Sequence, residues 1–264
     1  MRDSGFVASL GALLAAAVIC SPSLAQTVAI DDPRGDDKGP GTYVYPTDPI
    51  YRPGSFDITR LEMTLAGDYV DFAVTVAADL ENPWRMSPGF SLQFPIVFIA
   101  AGELGLQESP PGLNVAFDFL GWDRAILMSP QDPARVRREI GEKAPTLSGE
   151  LVVPTRIGAQ GRTITARVPR SALPDTDPAE WGLQVVMQRN DGFASSDHLL
   201  MTAVNEYEGS HRFGGGHDGV CDPNVIDMLA ASAEIQYEIL GGYQCGSGGE
   251  AETLAVLSMV FPGD

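Results

Sequence analysis

The sequence predicts an all-β domain of the sandwich class, and three observations carry that prediction. Short runs along the chain alternate apolar and polar residues with a period of two. One longer run, FSLQFPIVFIA at residues 90–100, is nearly continuously apolar and marks a central strand. Finally, 29 glycines and 20 prolines are spread through the chain and punctuate the runs, so helices have little room to propagate.

Taken in order, residues 56–65 and 69–76 form two alternating runs around Ala66-Gly67-Asp68, which reads as a hairpin. In the second run Val70, Phe72, Val74 and Val76 share one face. Pro95 inside the run at 90–100 implies a bulge or an edge there. Residues 115–119 and 124–128 read as a strand pair around Gly121-Trp122. Residues 151–155 and 163–168 flank a turn at 158–161, and residues 181–188 and 251–261 supply late strands. The helical signal is weak. It amounts to one turn at 170–173 and a short helix near the C-terminus at 224–231, with Asp222 or Asn224 near its start.

Residues 1–25 read as a secretory signal peptide: Arg2, an apolar stretch from Phe6 to Cys20, and the small-residue cleavage site Ser23-Leu24-Ala25. The stretch is short for a membrane span, and no later segment is longer and as apolar. The expected product is exported, periplasmic or extracellular, and not membrane-spanning. About 240 residues remain, without a linker or internal repeat, and they read as one domain, 26–264. In an oxidising compartment the remaining cysteines, Cys221 and Cys245, are expected to form a disulfide. The alternative is free thiols or a metal site with His211 and His217, although that spacing matches no strong zinc pattern.

The formal net charge is −18, from 35 acids against 17 bases. Such a surface repels nucleic acid and anionic lipid and leaves divalent cations and neutral sugars as partners. The acids crowd most densely in DDPRGDDKGPGTYVYPTDP at 31–49, where Asp31, Asp32, Asp36 and Asp37 lie among Pro33, Gly35, Gly39 and Gly41. Carboxylates held this close repel one another unless a cation sits between them. Calcium suits several hard oxygens in flexible geometry. Those four residues are the candidate ligands, with carbonyls of the glycine-rich turn and Asp57 in addition; an acidic disordered segment and a turn-forming Asp57 are the plainer readings.

Several blocks taken together resemble a known family. They are DDPRGDDKGPGTYVYPTD, GSFDIT at 54–59, NPW with GFSLQFPIVFI at 82–99, HRFGGGHDG at 211–219 and DPNVIDML at 222–229. In this order the chain resembles the carboxy-terminal, surface-layer-homology-like module of glucodextranase and amylopullulanases. The resemblance implies a β-sandwich related to carbohydrate-binding and DOMON-like domains. It also implies a non-catalytic role linked to extracellular α-glucan degradation or to the cell surface. In the family's usual setting the module is the tail of a large glycosidase, and here it follows a leader directly. A hydrolase activity residing in other domains is therefore not inherited.

Sugar binding needs exposed aromatic faces with planar polar groups beside them. Trp84 and Trp122, both next to turns, are the candidate platforms, and Tyr43 and Tyr45 either join them or cover the calcium loop. Trp181 opens an apolar strand and reads as core. Gly214–Gly216 lacks the context of a phosphate loop and reads as a tight turn. No carboxylate pair or Gly-x-Ser-x-Gly element singles out an enzyme. Haem ligation through Met63, Met86, Met128, Met187 or Met201 is set against plain core packing, since no c-type attachment motif occurs. The expected function is calcium-stabilised binding of a glucan-like polysaccharide. The alternative is docking to a cell-envelope polymer or a protein partner.

Overall fold

A computed structural model describes residues 27–102, 104–217 and 220–263. The leader read at 1–25 lies outside the described residues. The fold is an all-β sandwich. Strands β1 (Thr27–Asp31), β2 (Ile58–Ala66), β3 (Tyr69–Val76), β4 (Gln93–Ala100), β5 (Val115–Phe117) and β6 (Arg124–Leu127) precede helix α1 (Pro133–Lys143). Strands β7 (Leu151–Val152), β8 (Arg156–Gln160), β9 (Thr163–Pro169), β10 (Gly182–Arg189) and β11 (Asp227–Met228) follow. Helix α2 (Ala233–Leu240) and strands β12 (Gln244–Cys245), β13 (Ala251–Thr253) and β14 (Ala255–Leu257) complete the chain.

The first sheet has the order β1-β2-β3-β9-β8 and is antiparallel throughout. The second has the order β11-β10-β4-β6-β7, antiparallel except for β6 against β7. Between them lies one core, in which Val70, Phe72 and Val74 of the first sheet share a cluster with Val97, Ile99, Val185 and Met187 of the second. A separate cluster covers the back of the second sheet: Phe94, Ile96 and Phe98 pack with Trp122, with Val136 and Ile140 of α1 and with Leu240 of α2. Strands β4 and β10 are therefore buried on both faces, every residue of each being buried. That double burial is why the run at 90–100 shows almost no alternation. In β3 one face meets the core and the other does not, and the sequence alternates accordingly.

The hairpin formed by β2 and β3 turns at Gly67, which has φ +64°. Pro95 is neither at a bulge nor on an edge strand, because β4 is central and its register with β10 is unbroken. The Pro95 carbonyl accepts from Met128 N at 3.0 Å, so the proline nitrogen faces Met128 without returning a bond, and the β4–β6 ladder ends there, at Ile96 opposite Leu127. The helix expected at 224–231 is instead extended chain containing β11, and the C-terminal helix begins later, at Ala233, capped by Ser232 Oγ. The pair expected from 115–119 and 124–128 does not form: β5 pairs in parallel with β14, while β6 joins β4. Residues 151–155 supply β7 to the second sheet, and β8 takes the place beside β9. The single late strand at 251–261 is divided between β13 and β14.

Helix α1 has no counterpart in the sequence reading, although its signals are present. Asp132 caps it by accepting from Ala134 N at 2.8 Å, Pro133 occupies the first turn, and Glu139–Lys143 is an i,i+4 ion pair at 3.0 Å. Cys221 and Cys245 form a disulfide with 5.4 Å between Cα atoms. The zinc alternative is thereby corrected: His217 lies near both sulfurs, but they are bonded to each other. Met63, Met128, Met187 and Met201 are buried core residues, as the packing reading holds.

Candidate functional site

Two features at the loop ends of the sandwich carry chemistry. The first is a nest of carboxylates where the chain leaving β1 closes over one end of the core. The loop is tied to the chain on either side of β11: Gly39 N donates to Ile226 O at 2.8 Å, and Ala230 N donates to Asp32 Oδ1 at 2.9 Å. Gly39 has φ +55°, and a side chain there would run into the ring of Tyr43. Asp32, Asp36, Asp37, Asp57 and Asp227 are all buried, Asp36 and Asp227 completely. Ligand atoms of Asp32, Asp36 and Asp227 lie within 4.8 Å of one another.

The hydrogen bonds of these groups leave oxygens over. Asp57 Oδ2 accepts from Gly35 N at 2.8 Å, and Asp227 accepts from Ile58 N at 2.5 Å and from Met228 N at 3.0 Å. Asp37 accepts from the Tyr45 hydroxyl. Asp32 Oδ2, Asp57 Oδ1 and both oxygens of Asp36 are buried without a hydrogen-bond partner. Burial, reinforced by the neighbouring carboxylates, pushes Asp32 up to about 9, Asp57 to about 7 and Asp36 to about 6. Asp227 is raised by the same causes, and burial also raises Asp37. Orphaned oxygens of this kind, converging from separate segments, are costly to bury and form a donor set suited to a hard divalent cation.

Of the sequence-predicted ligands, Asp32 and Asp36 stand in this nest, and Asp57 and Asp37 border it. Asp31 does not: it is exposed and pairs with Arg60 at 2.5 Å across the β1–β2 edge, because alternation along β1 turns it outward. Asp227 was missed. It lies nearly 200 residues downstream, and the strand that carries it reads as helix in the sequence.

The second feature is a groove of about 380 Å³ beside the ends of β4 and β10, with Trp84 and His211 among its lining residues. The Trp84 ring is 46% exposed and meets His211 edge-on at 6.2 Å. Its loop is held by Asn82, whose amide accepts from Met86 N at 2.8 Å and donates to Met86 O at 2.9 Å. The other predicted platforms are corrected. Trp122 is fully buried, stacked edge-on to Phe98, with its indole N–H spent on Glu108 O at 2.9 Å. Tyr43 is buried and donates to Pro223 O at 2.6 Å. Tyr45 is half-buried between Phe56 and Phe213, with its hydroxyl on Asp37, so it covers the carboxylate nest and offers no face to a sugar. Trp181 is core, as expected. Gly214 and Gly215 belong to a tight crossing against Thr42 and Glu208, which leaves no room for a Cβ.

Among the described residues no helix is long and apolar enough to cross a membrane. No curated protein matches the chain. The model of the glucodextranase C-terminal family, described as an SLH-like C-terminal binding module, matches residues 27–258, nearly the whole described chain. The chain belongs to this family.

Proposed function

We propose that this chain is an exported, non-catalytic carbohydrate-binding module for a glucan-like polysaccharide, with calcium holding its N-terminal loop to the sandwich. Membership of a family of binding modules supports the binding role. The observation that carries the sugar reading is Trp84. Alone among the three tryptophans it is exposed, on a clamped loop, beside the polar groups of a groove. A pyranose presents a face of C–H bonds that packs on such a ring while its hydroxyls find planar polar partners. Calcium is supported by the orphaned oxygens of Asp32, Asp36 and Asp57 next to Asp227. Bound there, the ion would supply charge compensation and a cross-link between the β1 loop and β11. Export is supported by the Cys221–Cys245 disulfide and by the leader-like sequence at 1–25.

Affinity electrophoresis through gels containing soluble glucans tests the reading. Retardation by a neutral glucan, lost in Trp84→Ala, supports it. The second reading, docking to a cell-envelope polymer, draws on the SLH-like description of the family. It predicts instead no retardation by any glucan and retention on isolated envelope material that survives Trp84→Ala.

A further inference from the structure

We propose that Phe193 is the second aromatic platform of the groove, and that with Trp84 it selects a neutral saccharide. The assignment rests on the carbohydrate-binding reading and adds a residue and a charge selectivity to it. Phe193 lines the same groove as Trp84 and is 97% exposed. A phenyl ring left fully in water contributes nothing to the fold, and here the loop bearing it is built to keep it there. Phe193 N donates to Asp191 Oδ1 at 2.8 Å, and Asp191 N donates to Leu200 O at 2.8 Å. Arg135 of α1 donates to Gly192 O, and Gln131 Nε2 donates to Asn190 Oδ1 at 3.1 Å. Asn190 in turn donates its side-chain amide to Ser91 O at 2.9 Å. These five bonds fix the backbone that carries the ring, so a ligand that covers it has only the side-chain torsions of Phe193 left to order, which favours an aromatic anchor.

Charge decides the class of sugar. Two arginines line the groove, and both are committed to the protein. Arg135 donates to Gln131 Oε1 at 3.2 Å as well as to Gly192 O, and its Nε lies 3.6 Å from Glu139. Arg189 donates to Asn190 O and Thr202 Oγ1, each at 2.7 Å, and also to His211 O, with Asp191 at 3.9 Å. Glu139, which also pairs with Lys143, and Asp191 stand beside these guanidiniums and compete with a uronate for them. At long range the net charge of −18 on the whole chain opposes the approach of polyanions, while Arg135, Arg189 and Asp191 are the charged groups at the groove itself. A saccharide without charge loses nothing in this field.

The test compares wild type, Phe193→Ala, Phe193→Trp and Trp84→Ala in affinity gels of pullulan, amylopectin, dextran and polygalacturonate. Circular dichroism checks each fold. Wild type is expected to be retarded by at least one neutral glucan and not by polygalacturonate. Phe193→Ala is expected to weaken that retardation about tenfold, the effect of losing one stacking contact, with Phe193→Trp restoring it. If Phe193→Ala binds as wild type does while Trp84→Ala fails, the second platform is refuted and the general reading stands. Polygalacturonate binding as tight as glucan binding refutes the charge selectivity. If wild type binds no neutral polymer, the carbohydrate reading falls and this assignment falls with it.

Discussion

Chelation of the purified protein should reverse the direction in which its stability depends on pH. Without metal, Asp57 titrates at about 7 and Asp36 at about 6 in the fold, against an ordinary value of 3.8. The native state then holds protons that the unfolded chain has released. Their stabilising contribution is complete below about pH 4 and is lost as pH rises through 6 and 7. For Asp57 alone the loss between pH 5 and pH 7.5 is on the order of 2–3 kcal/mol, and Asp32, at about 9, pushes the same way. A domain of this size moves roughly 2–4 °C in Tm per kcal/mol, so Asp57 alone should lower the Tm of the chelated protein by about 5–10 °C between pH 5 and pH 7.5, and Asp36 and Asp32 add to that drop. Calcium at about a hundred times its Kd adds about 2.7 kcal/mol and should recover a similar interval at pH 7.5. Asp36→Asn should melt with little response to calcium. Differential scanning calorimetry in EDTA and in calcium at both pH values reads all of this. A chelated protein that is more stable at pH 7.5 than at pH 5, or a Tm indifferent to both chelator and calcium, would refute the electrostatic argument and the metal assignment built on it.

Other outcomes follow from the same geometry. Trp122→Ala should cost roughly 3–5 kcal/mol in urea unfolding, because a fully buried ring leaves a cavity, whereas Trp84→Ala should cost under about 1 kcal/mol. Equal costs for the two would contradict their assignment to core and surface. Reducing the Cys221–Cys245 bond, which closes a separation of 24 residues, should destabilise the protein by about 3 kcal/mol, read as a lower urea midpoint in dithiothreitol. Asp132→Ala should remove the cap of α1 and cost about 1 kcal/mol by the same assay.

What was legible in the sequence follows from how local each signal is. The β2–β3 hairpin is legible because its alternation and its glycine turn lie within a score of residues. The run at 90–100 announced a central strand for a similarly local reason, since burial on both faces removes the polar positions. Partners that depend on distant chain are not legible in local pattern. Nothing local says that β5 pairs with β14 across 140 residues, or that 224–231 is held extended by β10. The same limit shaped the site. Asp32, Asp36 and Asp37 crowd within one segment and Asp57 stands in the separate block GSFDIT, so all four are candidates in the sequence, but Asp227 reaches them only through the β10–β11 pairing. For the aromatics, a neighbouring turn marked both Trp84 and Trp122, yet only the layer behind the second sheet decides that Trp122 is covered. Phe193 sits in a polar loop with no periodicity, and only its exposure in the fold singles it out. Helix α1 is a different kind of miss: Asp132-Pro133 and the i,i+4 charges were present, and the β pattern on either side obscured them.

The most direct measurement is isothermal titration of the full chain with a linear neutral glucan oligosaccharide at saturating calcium, followed by chromatography of the recovered sugar. Saturable heat, abolished by Trp84→Ala, with the oligosaccharide recovered at its original length, is the outcome for a non-catalytic carbohydrate-binding module. Absence of binding heat across the neutral glucans, or recovery of shortened sugar, would contradict it.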